Sequence, residues 1–338
     1  MSKALTDDGE EIDLTVPDEH VENGLEHVSK SRVKTYLQCP RKFYYSYWCG
    51  NRTPGSYHTE KGSEIHRAYE DFHLNLIEYV QEHGERPEWY ADVMGPWEDY
   101  AQWLHPHIEN FWKFEDKRWE LACDYAAAKF RALDDPRDGK TVMEYALDAW
   151  LPIGVEVEGR LEGDDIPIGN IPWMGYADAL LHAATVPGIE ADEGVVILDY
   201  KTGKVQDPKY RHKGIYLEGE FYGWLFENDL DYEIAGVAGY YPQEDELVVS
   251  PYPDEDRRHI IRKAVLGMQM KPEVENYDID TGPLCHYGHG KCFFYDQCPS
   301  SWGKKGGEGY HGFAEPDGST KPKDEITQHK RDKNWYPY

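Results

Sequence analysis

The chain has 338 residues, enough for one large domain with insertions or two ordinary ones, and its 14% aromatic content, with 11 Trp and 26 Tyr, supplies ample core. Against 36 basic side chains stand 64 acidic ones; the net charge of -28 repels polyanions on average, so any nucleic-acid binding must be local and metal-assisted, and the acidity fits either high-salt surroundings or an acidic cytosolic protein. No apolar run can span a bilayer, and the acidic opening "MSKALTDDGEEIDLTVPDEH" lacks the apolar segment of a secretory signal, so a cytoplasmic protein without a membrane partner is expected.

Residues 1–26 are polar, acidic and without periodicity, and read as disordered. A helix is expected in "HVSKSRVKTYLQCPRKFYYSYW", with Ser29 as its N-cap. A second, stronger helix is "SEIHRAYEDFHLNLIEYVQEHG", capped by Ser63, striped by Ile65, Tyr69, Phe72, Leu76 and Val80, and ended by Gly84. Residues 89–132, rich in Trp and Tyr, read as the body of a helical insertion over about 85–140 packed on the main domain. From about 142 the texture turns to short β-rich runs, "LPIGVEVEGRLEG", "IPWMGYADALLHAA" and "GVVILDYKT". A helix over about 208–228, a strand in "YEIAGVAGYYPQ" and a helix in "DEDRRHIIRKAVLGMQM" follow, and residues 301–338 read as a flexible tail. Strands between helical blocks predict a mixed α/β sheet flanked by helices.

The strand "VVILDYKTGKV" carries Asp199 and Lys201 two residues apart, hence on one face. By itself this pair reads equally as a surface ion pair or as part of an active site. "GYADALL" places Asp178 on a strand expected to pair with it, and two carboxylates at adjacent strand ends suit Mg²⁺ or Mn²⁺. Such a site beside a lysine serves phosphodiester hydrolysis, in which the metal polarises a phosphate oxygen and the ammonium offsets developing charge. His66 lies off the apolar stripe of its helix; it reads either as an exposed histidine bonded to Glu70 or as a ligand tilting preference towards Mn²⁺. Glu218 and Tyr222, four apart, share a helix face that is either ordinarily amphipathic or turned to the site.

The ordered set "GSEIH", "GYAD", "LDYK" and "EGEFY" resembles the PD-(D/E)XK nuclease superfamily, and within it the RecB-type nucleases. "SKSRVKTYLQCPRKFYYSY" is similar to the opening helix of iron–sulfur members, the CRISPR-associated RecB-like exonucleases and the AddB nuclease domain. The resemblance spans about 27–300 and implies a restriction-endonuclease-like core. It also implies roles: His66, Asp178, Asp199 and the Tyr200 backbone carbonyl as metal ligands, Lys201 as the catalytic lysine, and Glu218 and Tyr222 in the family's QxxxY motif. Glu218 departs from that motif, because a carboxylate cannot donate as an amide does and adds negative charge near phosphate.

Cys285, Cys292 and Cys298 follow one another as C-x6-C-x5-C, and Cys39 supplies a fourth thiol from the other end of the chain. Four thiolates can close one tetrahedral or cubane site that fastens the termini around the core. The resemblance implies a [4Fe–4S] cluster; the wide spacing between Cys285 and Cys292, with His286 and His289 between them, leaves Zn²⁺ as an alternative. Lys30, Arg32, Lys34, Arg41, Lys42, Lys204, Lys209, Arg211 and Lys213 read as solvated faces or a phosphate-tracking groove, with Tyr44, Tyr45, Tyr47 and Trp48 as core or base-stacking residues. The expected function is a metal-dependent exonuclease on single-stranded DNA or DNA ends, in repair, recombination, phage replication or CRISPR-type processing with protein partners of those pathways. The rival readings are a non-catalytic DNA-binding adaptor of the same fold and a structure-specific flap endonuclease.

Overall fold

A computed structural model of the chain describes all residues except 1–3, 6–10, 52–56, 96–99, 133–138, 231, 281–284, 288–289, 296–297 and 299–338. The elements begin with strands β1 (Ala4–Leu5) and β2 (Glu11–Ile12) and helices α1 (Asp18–Asn23), α2 (Lys30–Gln38) and α3 (Pro40–Phe43). Helices α4 (Tyr57–His83), α5 (Ala91–Met94), α6 (His105–Ala132) and α7 (Val142–Trp150) come next. Then come β3 (Gly154–Leu161), β4 (Trp173–His182), β5 (Val195–Tyr200), α8 (Ile215–Asp229), β6 (Ile234–Tyr241), β7 (Glu246–Ser250), α9 (Glu255–Met268), β8 (His286–Tyr287) and β9 (Gly290–Lys291).

The chain divides into two compact units. The larger holds residues 26–30 and 54–266. It is built on a five-stranded sheet of order β3-β4-β5-β6-β7, in which only the β5–β6 pair is parallel. Parallel neighbours need a crossover, and α8 supplies it between β5 and β6. Every residue of β5 is buried, as a central strand covered on both faces requires. Val196, Leu198 and Tyr200 enter the main apolar core with Ile65, Tyr69 and Phe72 of α4 and Phe111 and Phe114 of α6. Large side chains buried in this way stabilise by about 1.5–3 kcal/mol each. On α8, Phe221 stacks on Trp173 of β4 at 5.2 Å, and Phe226 lies where a Cβ on Gly159 of β3 would fall, 2.8 Å away.

The aromatic segment, read as a helical insertion packed on the main domain, lies against α4 and the sheet: Phe111 stacks on Tyr69 at 4.0 Å and Phe114 on Tyr240 at 4.5 Å. Several elements differ from expectation. Residues 142–150, assigned to the β-rich part, form α7, started by a capping box between Thr141 and Glu144. Helix α4 begins at Tyr57, so Ser63 lies inside it rather than capping it, while Gly84 ends it at φ 69°. The helix expected over 208–228 is broken: Pro208–Lys213 is a 3₁₀ turn, and Gly214 sits against the Gln206 amide where no side chain would fit. Edge strand β7 was not anticipated.

The smaller unit holds 1–25, 31–53 and 267–338, and so joins segments from both ends of the chain. Its core is aromatic. Trp48 Nε1 donates to Tyr277 Oη at 2.6 Å, Arg41 Nε donates to the Tyr277 carbonyl at 2.8 Å, and the Phe43 and Tyr277 rings stack at 6.2 Å. Within the stretch expected to be disordered, residues 18–23 form α1, and His20 Nδ1 lies 2.7 Å from the Trp48 carbonyl. The expected tail, 301–338, lies outside the described residues. Among the described residues no helix is long and apolar enough to cross a membrane.

Candidate active site

The site lies at the end of β5, where the β4–β5 ladder stops. Ala179 and Leu198 are its last pair on this side. One residue on, the Asp178 carboxylate replaces a strand carbonyl and accepts the Tyr200 amide. Its other oxygen lies 3.2 Å from His66 Nδ1 on α4. The bond from His66 thus goes to Asp178, across the fold, not to its helix neighbour Glu70. Burial opposes a charge on His66, but the hydrogen bond to Asp178 and the charges of Asp178, Asp199 and Glu156 more than offset it and raise its pKa.

Glu156 completes this corner. It sits on β3 between Val155 and Val157, which pair with Ala179 and Ala177, so it lies across from Asp178. Its φ of 48° is a backbone conformation uncommon outside glycine. Burial, Asp178 and Glu70 together raise its pKa. One ligand atom each from His66, Glu156 and Asp178 lie within 4.8 Å of one another, the single such group of histidine, cysteine or acidic side chains among the described residues. An imidazole with two carboxylates fits a hard divalent ion, with the nitrogen favouring Mn²⁺ over Mg²⁺. A cleft of about 600 Å³ opens there, lined among others by His66, Arg67, Glu70, Glu156, Asp178 and Thr202.

Asp199 and Lys201 share a face, as their spacing predicts, and form a close ion pair. Asp199 is not in the group of three; its other oxygen meets Lys30 Nζ at 3.3 Å. Although burial favours its neutral form, Lys201 and then Lys30 hold the Asp199 carboxyl far below the usual range. The Lys201 amide donates to the Tyr240 carbonyl at 2.8 Å, which anchors the residue just past the strand end, and its Nζ reaches Glu218 Oε2 at 2.5 Å. Burial opposes the Lys201 charge and Lys30 repels it, but Asp199 and Glu218 raise its pKa on balance. The Tyr222 ring lies 4.8 Å below Lys30 Nζ, and the Tyr200 hydroxyl lies on the opposite side of β5, 3.3 Å from His73 Nδ1.

Two members of this site escaped the sequence reading. Glu156 stood in a β-rich run with no motif around it, and only the β3–β4 register sets it opposite Asp178. Lys30 was grouped with a basic groove. Others of that group are also engaged: Arg32 is buried over the Tyr47 ring, Lys42 Nζ bonds Gln38, and Arg211 pairs with Glu246. Tyr44, Tyr45 and Trp48 are buried core residues and cannot stack on bases.

In the smaller unit the Cys292 amide donates to the Cys285 carbonyl at 2.8 Å and the Cys298 amide to the Phe294 carbonyl at 2.9 Å. Burial pushes the Cys292 thiol pKa up, and the neighbouring Cys39 and Cys298 add to it. No three thiols among the described residues meet the 4.8 Å spacing.

No curated protein matches the chain. Residues 27–299 match the family described as the PD-(D/E)XK nuclease superfamily, a span that includes the whole sheet and every site residue named above. The chain therefore belongs to the PD-(D/E)XK nuclease superfamily, whose common activity is metal-dependent hydrolysis of phosphodiester bonds.

Proposed function

We propose that this protein is a metal-dependent DNA exonuclease acting on single strands or DNA ends. The observation that carries the reading is the convergence of His66, Glu156 and Asp178 at one cleft, near the Asp199–Lys201 pair. His66, Asp178 and Asp199, with the Tyr200 carbonyl, would hold a Mg²⁺ or Mn²⁺ ion, and Glu156 joins them. A bound ion would polarise the scissile phosphate and ease deprotonation of the attacking water. Lys201, kept cationic by Asp199 and Glu218, orients that water and offsets the charge developing on the phosphate. Asp178 ties the imidazole of His66 to the amide of Tyr200, so α4 and β5 keep one relative geometry at the ligands. Glu218 faces Lys201 and not open solvent, which assigns it to holding that lysine; the Tyr222 ring forms the floor beside it.

The gathering of Cys39, Cys285, Cys292 and Cys298 in one unit, with the Cys292 amide bonded to the Cys285 carbonyl, supports a [4Fe–4S] cluster as the staple of the smaller unit. Four cysteines at its two chain ends would close a long loop there.

The test is digestion of end-labelled and closed-circular single-stranded DNA with Mg²⁺ or Mn²⁺, comparing the parent chain with Asp199→Ala and Lys201→Ala. The parent should degrade linear strands and spare circles, and both variants should lose activity while keeping the parent's circular dichroism. Full activity in either variant, or equal cleavage of circles, refutes the assignment.

A further inference from the structure

Lys30, the first residue of α2, reaches the site from outside the motifs that mark it. Its Nζ lies 3.3 Å from Asp199 Oδ1, 3.8 Å from Glu218 Oε2 and 4.8 Å from the centre of the Tyr222 ring. Lys201 pairs with the same two carboxylates. Two ammonium groups therefore share two carboxylates where Asp199 is 5% and Glu218 6% exposed. Withdrawing a second cation from water is unfavourable, and a well-packed apolar side chain is often as stabilising in such a place. The two lysines repel each other. Burial opposes the charge on Lys30, but Asp199, Glu218 and Asp178 outweigh it and keep Lys30 charged, and 23% of its side chain stays open to solvent.

Resting on the nuclease reading, we propose that Lys30 is a substrate-binding residue whose ammonium contacts a non-bridging oxygen of the DNA backbone beside Asp199. Glu218 is the positioning residue that aims both lysines and is not itself a DNA ligand. A compact ammonium on a flexible stem binds phosphate as a point charge, and the Tyr222 ring below supports the cation from its other side. A carboxylate at 218 would alone repel phosphate. Asp199, Glu218, Lys30 and Lys201 are neutral as a set, so Lys30 cancels the repulsion that Glu218 introduces.

The experiment is equilibrium binding of a fluorescein-labelled oligodeoxythymidylate to the full chain over a salt series, with Ca²⁺ as the divalent ion. The parent is compared with Lys30→Met, Lys30→Arg and Glu218→Gln, and each variant is also melted. Loss of one phosphate contact on a single strand lowers the slope of log affinity against log salt by about 0.7. A charge-assisted contact also carries affinity worth about tenfold or more. Lys30→Met should show both losses and Lys30→Arg should retain the slope. Glu218→Gln should keep the slope and weaken binding less than Lys30→Met. If Lys30→Met does not fold, Lys30→Gln carries the same test. Unchanged slope and affinity in the neutral variant would overturn the proposal and leave Lys30 a partner of the carboxylates alone; so would a parent chain that binds no DNA. Because binding is read without cleavage, a chain that shows the Lys30-dependent slope but cuts nothing overturns the nuclease reading and not this one.

Discussion

The buried polar chain behind β5 allows a stability prediction with a defined size. Tyr200 Oη lies 3.3 Å from His73 Nδ1, and His73 Nε2 lies 3.4 Å from Glu115 Oε1. Arg118 Nη1 donates to both Glu115 oxygens, at 3.0 and 2.8 Å, and Nη2 donates to the Trp150 carbonyl at 2.7 Å and Thr185 Oγ1 at 3.2 Å. His73, Glu115 and Arg118 are wholly buried. Burial opposes the charge on Glu115, but Arg118 and then His73 hold its pKa below the usual value. Glu115→Leu strands the Arg118 guanidinium in this interior without a counter-charge, a loss of about 3–5 kcal/mol. That is a large share of the roughly 5–15 kcal/mol by which whole domains are stable. The Glu115→Leu/Arg118→Met pair strands no charge and should recover most of the loss. Urea unfolding of both variants measures this, provided the m-value stays constant. Because the folded pKa of Glu115 is depressed, its contribution is present above the unfolded carboxyl pKa and fades as pH falls through the folded one, so parent and single variant should converge in acid. A single variant within about 1 kcal/mol of the parent, or a double variant less stable than the single, would falsify the account.

Three further outcomes are expected. As a metal ligand, His66 must be neutral, and its pKa is raised above the ordinary value, so Mn²⁺ affinity by titration calorimetry should climb with pH until that raised pKa is passed and then level off; an identical profile in His66→Ala would sink the assignment. Gly239→Ala puts a methyl 2.6 Å from Ile215 Cδ1 and 3.4 Å from Lys201 Cγ, and overpacking of this kind costs about 1–3 kcal/mol, read as a lower urea midpoint together with slower cleavage; parent-like values in both would refute it. Anaerobically purified chain should be brown with iron and sulfide present, and Cys292→Ser should bleach it; a colourless zinc protein would refute the cluster.

Much of the site was legible because each motif is local. Asp199 and Lys201 share a face through strand alternation, the apolar stripe of α4 frees His66 to point elsewhere, and the four-residue step from Glu218 to Tyr222 needs only helical pitch. For α6, amphipathic spacing says that a face is buried but not what buries it; here it is the sheet itself, through Tyr240. The capping box at Thr141 was a readable signal for α7, masked by the β-rich run that follows.

The order of chemical groups along the chain, and with it the nuclease class, followed from sequence alone, because each group's neighbours in sequence set its local geometry. Tertiary structure alone decided which cations and anions meet. Glu156 reaches Asp178 only through the β3–β4 register, and Lys30 reaches Asp199 across 169 residues of chain. Contacts at such separations depend on packing of the whole unit, and no local periodicity encodes them.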